Sequence, residues 1–197
     1  MKDNSALLIV DVQYDFCPGG VLQMQGSDRI LPLINTAAAG FASLGLPVVA
    51  TRDWHPAVSR HFRKFGGHWP EHCICNTPGA RFHRDLALPP GAIVISKGTD
   101  PDFDGYSAFE GVDEQGRGLY ELLTRLNVQH IYIAGLSTDY CVQFTASDAL
   151  LRGFRVTVMI DAVAGIDAVP GVSQQVLRSL CISGARMETV DVILKHW

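Results

Sequence analysis

Residues 5–11 read SALLIVD, a short apolar run with β-branched members that ends at an acidic residue. A run of this length and composition indicates a buried strand of a parallel sheet. Similar runs recur along the chain and are separated by segments with helical spacing. The predicted strands are 5–10, 47–51, 92–96, 130–135, 155–160 and 187–190, and the predicted helices are 27–44, 118–126, 138–151 and 173–183. This alternation predicts an α/β fold with a mostly parallel sheet and helices on both faces.

The composition indicates one globular domain that spans residues 1–197. Apolar residues make up 47% of the chain, and the net charge of −4 comes without a basic block, which argues against nucleic acid or an anionic membrane as the main partner. No apolar run approaches the roughly 20 residues of a membrane span, and no signal-peptide pattern opens the chain, so we expect a cytoplasmic protein. The five cysteines are odd in number and irregularly spaced, which argues against a disulfide framework.

Charged or polar residues follow four of the predicted strands. Asp11, Asp53 and Lys97 stand at or just after strand ends, and residues 137–141 follow another strand. In a parallel sheet these ends lie along one edge, and ligands bind there. We therefore expect the four segments to form one site.

Cys141 is the candidate nucleophile of that site. It lies at the predicted start of a helix, capped by Thr138 or Asp139, where the positive helix end favours the thiolate and backbone N–H groups can bind an oxyanion. Asp11 and Lys97 are costly at the ends of buried strands unless they are paired. Together with the thiol they predict a proton-handling cluster. The alternatives are an inert buried cysteine, a capping aspartate and a solvated lysine.

Residues 53–90 are rich in histidine, glycine, proline and aromatic residues without a period, which predicts a functional loop. Asp53 and His55 are two residues apart on one side of an extended segment, and His61 and His72 follow. Imidazole and carboxylate ligands suit Zn²⁺, Fe²⁺ or Mn²⁺, so the loop is a candidate metal-binding region. The alternative is a set of surface or capping histidines.

Together these motifs resemble the nicotinamidase/pyrazinamidase branch of the isochorismatase-like cysteine hydrolases. The resemblance covers nearly the whole chain, and its segments occur in the family's order. They are LLIVDVQYDFCPGG (7–20), TRDWHP (51–56), WPEHC (69–73), ISKGTDPDFDGYSAF (95–109) and AGLSTDYCV (134–142).

The resemblance implies a three-layer α/β/α fold with a six-stranded, mainly parallel sheet. It implies an enzyme of NAD salvage that deamidates nicotinamide to nicotinate and ammonia through a cysteine thioester, with activity on pyrazinamide as an extension. Asp11, Lys97 and Cys141 take the positions of the family's catalytic residues. One divalent metal ion, reported in the family as zinc, iron or manganese, is the implied cofactor. Members range from monomers to larger assemblies, so a homo-oligomer is allowed.

The resemblance also implies the remaining site residues. A cis peptide is expected between Leu136 and Ser137, although Ser137 stands where many members have alanine. The implied metal ligands are Asp53, His55 and His72, with His61 as the fourth. The backbone amides of Ser137 and Cys141 are the implied oxyanion hole. The residues implied to line the ring pocket are Phe16, Trp69 and Tyr106.

Other functions stay open on the sequence alone. A related cysteine amidase could act on another small amide, since fold and catalytic residues do not fix the substrate. An isochorismatase would typically lack both the cysteine and the metal residues. A non-catalytic binding protein would be expected to have lost one or more of Asp11, Lys97 and Cys141. A metallohydrolase would use a metal-bound hydroxide, and Cys141 would then have only a structural role.

Overall fold

The computed structural model describes residues 4–196. Within this range six strands form one sheet in the order β3-β2-β1-β4-β5-β6, and every neighbouring pair is parallel. The strands are β1 Ser5–Val10, β2 Val48–Asp53, β3 Ile93–Lys97, β4 His130–Leu136, β5 Arg155–Ala164 and β6 Arg186–Glu188. The helices are α1 Ser27–Ser43, α2 Leu119–Arg125, α3 Gln143–Leu151, α4 Val172–Ile182 and α5 Val190–Lys195. The predicted six-stranded parallel α/β fold is confirmed.

The central strands β1 and β4 are buried along their whole length because helices cover both faces of the sheet. Leu7 and Ile9 of β1 face a core that includes α1 and α5. Ala6, Leu8 and Val10 face the opposite core, which includes α2, α3 and α4. Successive side chains of a strand point to opposite faces, so one short apolar run supplies both cores and produces three layers.

The strand order reverses between β1 and β4, which are neighbours in the sheet although they are distant in the chain. Such a switch point opens a crevice at the carboxyl ends of the strands. Gly135 shows how closely the two strands approach there, since a Cβ on this residue would lie 2.1 Å from the Val10 carbonyl oxygen. The crevice is therefore lined by the segments that follow β1 and β4.

Two details at the carboxyl-terminal end differ from the prediction. The sixth strand is Arg186–Glu188, not 187–190, and helix α5, which the sequence pattern did not indicate, begins at Val190. The Thr189 side chain caps α5 by accepting a hydrogen bond from the backbone N–H of Val192.

No helix within residues 4–196 has the length and apolar character needed to cross a membrane. The five cysteines, all in the described part of the chain, are free thiols, as their spacing indicated.

Candidate active site

Asp11 lies at the switch point, directly after β1, and has no solvent-accessible surface. Its φ of +50° is in the left-handed region, which is costly for a residue with a Cβ. Thr51 holds it there: the Thr51 hydroxyl donates to Asp11 Oδ1 at 2.6 Å, and the Asp11 N–H donates to the Thr51 carbonyl oxygen at 3.2 Å. With Oδ1 occupied in this way, Oδ2 is left for the groups in the crevice.

Lys97, at the end of β3, joins these groups. Its fully buried ammonium lies 2.9 Å from Asp11 Oδ2 and 2.6 Å from Asp53 Oδ1. It also donates to the Gly105 carbonyl oxygen at 3.0 Å and contacts Cys141 Sγ at 3.3 Å. One carboxylate oxygen each of Asp11 and Asp53 and the Cys141 sulfur lie within 4.8 Å of one another. The structure thus brings the three predicted catalytic residues together.

The two carboxylates of this cluster have pKa values shifted in opposite directions. Burial raises the pKa of Asp11 to about 6, Lys97 opposes the rise, and the neighbouring Asp53 adds to it. Burial also raises the pKa of Asp53, but the Lys97 ammonium and His55 overcome this effect and hold the pKa well below its usual range. Burial alone would lower the pKa of Lys97, yet the two carboxylates keep it well above the ordinary value. Asp53 is therefore a fixed anion, and Asp11 is a carboxylate poised to take up a proton.

Cys141 lies in a turn of unusual geometry. The chain leaves β4 through a cis peptide between Leu136 and Ser137, as the resemblance implied. It then forms a π-helical turn, Thr138–Val142, before α3 begins. In this turn the Val142 N–H donates to the Ser137 carbonyl oxygen at 2.9 Å. Cys141 is held inside the turn, with its sulfur in the crevice.

The predicted helix cap at Thr138 or Asp139 is wrong. Ser137 precedes the π turn and Val142 precedes α3, and neither makes a side-chain cap hydrogen bond. The Asp139 carboxylate instead accepts hydrogen bonds from the backbone N–H groups of residues 166 and 167, at 3.0 and 2.8 Å. It ties the loop after β5 to the turn that contains Cys141.

The surroundings of Cys141 act against the thiolate that the helix start was expected to favour. Burial raises the pKa of Cys141 well above its usual range, and the Asp11 and Asp53 carboxylates raise it further against the opposing effect of Lys97. Burial and the two carboxylates thus favour the thiol form of Cys141 over the thiolate. A reaction at this sulfur requires an adjacent base, and Asp11 is that neighbour.

Asp53 is positioned by a residue that sequence reasoning missed. The Gln13 amide donates from Nε2 to the Asp53 carbonyl oxygen at 2.8 Å, and its Oε1 accepts from the Asp53 N–H at 2.7 Å. Nε2 donates as well to the Ala80 carbonyl oxygen at 2.9 Å, so Gln13 joins β2 to the far end of the loop. The sequence offered only its position, two residues after Asp11, and its burial becomes visible in the structure.

Three of the predicted metal residues, His55, His61 and His72, form a compact cluster. One ring nitrogen from each lies within 4.8 Å of the others. Each Nδ1 is bound to an oxygen: His55 to Gly98 O at 2.9 Å, His61 to Asp104 Oδ1 at 2.7 Å and His72 to Pro70 O at 2.7 Å. Since these oxygens only accept, each Nδ1 carries the proton and each Nε2 keeps its lone pair.

The chemistry of this donor set fits a divalent metal ion. His55 Nε2 is buried without a hydrogen-bond partner among residues 4–196 and lies 3.8 Å from Asp53 Oδ2. Burial lowers the pKa of His72 to about 4 and also lowers that of His61, which keeps these imidazoles neutral. Neutral imidazoles with Nδ1 fixed by an acceptor, beside an ionised carboxylate, are the arrangement that metal sites use. Asp53 thus links the metal cluster to Lys97.

A narrow cavity beside Cys141 is lined by the predicted pocket residues Phe16, Trp69 and Tyr106. Trp69 Nε1 donates to the Tyr106 hydroxyl at 2.8 Å, which fixes both rings. Tyr140, which sequence reasoning missed, also lines the cavity and packs edge-on against Trp69. The cavity is therefore largely aromatic, with the thiol on one side and the histidines on another.

Comparison with known proteins agrees with this geometry. The Isochorismatase domain family matches residues 5–190. The chain is 40% identical to the nicotinamidase/pyrazinamidase of Mycobacterium tuberculosis over 83% of this chain and 88% of that protein. The pyrazinamidase of Pyrococcus horikoshii in complex with zinc has a TM-score of 0.87 and 42% identity, covering 94% of this chain and 99% of the other. PnC1 from L. infantum in complex with nicotinate has a TM-score of 0.84 and 34% identity, covering 95% and 93%. The chain belongs to the isochorismatase family, in the branch that contains these nicotinamidases and pyrazinamidases.

Proposed function

We propose that this protein is a nicotinamidase, which hydrolyses the carboxamide of nicotinamide to give nicotinate and ammonia. The observation that carries the proposal is the contact of buried Lys97 with both Asp11 and Cys141, beside an aromatic cavity. An acid, a cation and a thiol at one point are the parts required for nucleophilic attack on an amide. The nicotinamidase and pyrazinamidase relatives support the choice of substrate.

In the proposed reaction Asp11 accepts the Cys141 proton while the sulfur forms a bond to the amide carbon. The carbonyl oxygen takes the negative charge and is held by the backbone N–H groups of Ser137 and Cys141, each worth about 3 kcal/mol of barrier. Asp11 then returns the proton to the nitrogen as the C–N bond breaks, and ammonia leaves. A water molecule then gives a proton to Asp11 and attacks the thioester carbon. The C–S bond breaks, the sulfur takes the proton back from Asp11, and the acid that forms loses its proton to solvent and leaves as nicotinate.

Lys97 acts in this scheme as a positioning cation. It holds Asp11 Oδ2 near the thiol and offsets one of the two buried carboxylate charges, so that Asp11, Asp53 and Lys97 together keep a single net negative charge. Because burial raises the pKa of Asp11 to about 6, this carboxylate is a stronger base than an exposed aspartate while remaining ionised at neutral pH.

We further propose that Asp53, His55, His61 and His72 hold one divalent metal ion, for which zinc, iron and manganese all suit the ligands. When bound, the ion supplies a Lewis acid that anchors the pyridine ring. Asp104, the Gly98 carbonyl group and the Pro70 carbonyl group orient the three imidazoles for that role.

The pyridine ring is proposed to lie between Phe16 and Trp69, with Tyr106 fixing the indole. Pyrazinamide differs from nicotinamide by one ring nitrogen in place of a C–H group, so the same cavity should accept it. The M. tuberculosis relative, named as both nicotinamidase and pyrazinamidase, supports this extension. The proposed enzyme would return nicotinate to NAD salvage.

Ammonia release from nicotinamide by the purified protein tests the proposal. The assay is run on the protein as isolated, after chelation, and after addition of zinc, iron or manganese singly. Activity that is lost on chelation and restored by one metal supports both the reaction and the metal site. A folded, metal-loaded protein that releases no ammonia from nicotinamide but does so from another small amide would overturn the choice of substrate.

A further inference from the structure

The Ser137 side chain carries a hydroxyl group that the proposed reaction has not used. The residue is buried, and its Oγ has no hydrogen-bond partner among the residues that the structure describes. A buried hydroxyl without a hydrogen-bond partner lowers the free energy of unfolding, so a role in binding or catalysis is a reason for it to be there. The backbone carbonyl group of the same residue is satisfied, since it accepts from the N–H groups of Tyr140 and Val142. The unpaired group is the side chain alone.

Ser137 lines the same narrow cavity as Cys141, between the end of β4 and the π turn. The cavity is otherwise lined largely by aromatic and aliphatic side chains, the thiol, Asp53 and the imidazoles of His61 and His72. Asp53 is already paired with Lys97. A neutral donor beside the nucleophile therefore suits an oxygen of the reacting molecule that gains negative charge.

We propose that the Ser137 hydroxyl donates a hydrogen bond to the substrate carbonyl oxygen and that this bond strengthens when the oxygen becomes an oxyanion. The inference rests on the proposed amidase function. The N–H of the same residue is one of the two proposed oxyanion donors, and the residue lines the cavity together with Cys141. The oxyanion hole of this protein thus contains three donors, of which one is a side chain.

A donor that acts mainly on the oxyanion raises kcat and changes KM little. In Ser137→Ala we expect kcat for nicotinamide to fall by about tenfold to a hundredfold, with KM within about twofold of the wild-type value. Inhibition by pyridine-3-carbaldehyde, whose carbonyl carbon bonds to the Cys141 sulfur to give a tetrahedral thiohemiacetal, should weaken by a similar factor. The thermal midpoint should stay level or rise, because the hydroxyl has no hydrogen-bond partner within residues 4–196 to lose.

Ser5→Ala is the matched control. Ser5 also has a buried hydroxyl without a partner among residues 4–196, but it stands at the opposite end of β1, about 20 Å from Asp11. This variant should keep the wild-type kcat. A third variant, Ser137→Thr, retains a hydroxyl and should recover part of the turnover and of the aldehyde affinity that the alanine variant loses.

The outcomes separate the two proposals. If the wild type releases ammonia and Ser137→Ala matches it in kcat and in aldehyde inhibition, the hydroxyl has no catalytic part and this inference fails alone. A drop in the thermal midpoint together with a loss of folded protein would assign the hydroxyl a structural role and likewise overturn it. If the wild type itself releases no ammonia from nicotinamide, the proposed function fails and this inference fails with it.

Discussion

Replacing Lys97 by methionine removes the cation on which the buried cluster depends while keeping a long apolar stem. The ammonium lies 2.9 Å from Asp11 and 2.6 Å from Asp53, and none of the three side chains is more than 6% exposed. Removing one partner of a buried ion pair leaves uncompensated charge and typically costs about 3–5 kcal/mol. For a domain of this size that is a fall in thermal midpoint of about 6–20 °C.

The measurement is thermal and urea unfolding at pH 8, where aspartates are ionised in the unfolded chain. Lys195→Met is the matched control, because Lys195 forms an exposed ion pair with Asp191 and its loss should cost less than about 1 kcal/mol. Adding Asp11→Asn to Lys97→Met should restore part of the lost stability, since one of the unpaired carboxylates is then removed. A Lys97→Met protein as stable as Lys195→Met would refute the reasoning about the buried cluster.

Three further predictions concern the reaction and the metal. Cys141→Ala should release no detectable ammonia while keeping the wild-type metal content by elemental analysis, and near-normal turnover would exclude the thiol as nucleophile. Asp104→Ala should weaken metal affinity by about 10–100-fold in chelator competition, because the carboxylate fixes the His61 ring; unchanged affinity would mean that His61 needs no such support. The value of kcat/KM should fall as the pH drops through about 6, since a protonated Asp11 cannot accept the thiol proton. A bound cation would lower the pH at which kcat/KM falls. A fall that occurs well above pH 6 would therefore contradict the role of Asp11.

The parallel sheet could be predicted because its signal is local. Runs such as residues 5–10 and 130–135 are short, mostly apolar and contain β-branched residues, which indicates buried strands, and β1 and β4 are buried throughout. Asp11 and Lys97 stood out for the same reason: a charge at the end of such a run needs a partner. Parallel strands then bring those ends to one edge, where the structure has them in contact.

What the sequence missed depends on contacts between distant segments. Gln13 looks like an ordinary polar residue until β2 and the loop around Ala80 supply its partners. Asp139 is placed in the sequence like a helix cap, yet its carboxylate accepts hydrogen bonds from two backbone N–H groups of the loop after β5 and caps no helix. The high pKa of Cys141 depends on burial and on two carboxylates, which a helix-start argument leaves out. Helix α5 is too short for its apolar spacing to distinguish it from a strand.

The position of Lys97 has a consequence for how the chain is made. Its ammonium contacts Asp11 directly after β1, Asp53 at the end of β2 and Cys141 in the turn after β4. Cys141 is the last of the three to be synthesised. Until β4 is synthesised, one edge of β1 has no strand to pair with, and closing so long a stretch of chain is slow. In cell-free translation, ammonia should therefore appear only after β4 and the turn that follows it have been synthesised and have joined β1, and turnover would report that step of folding without any added probe.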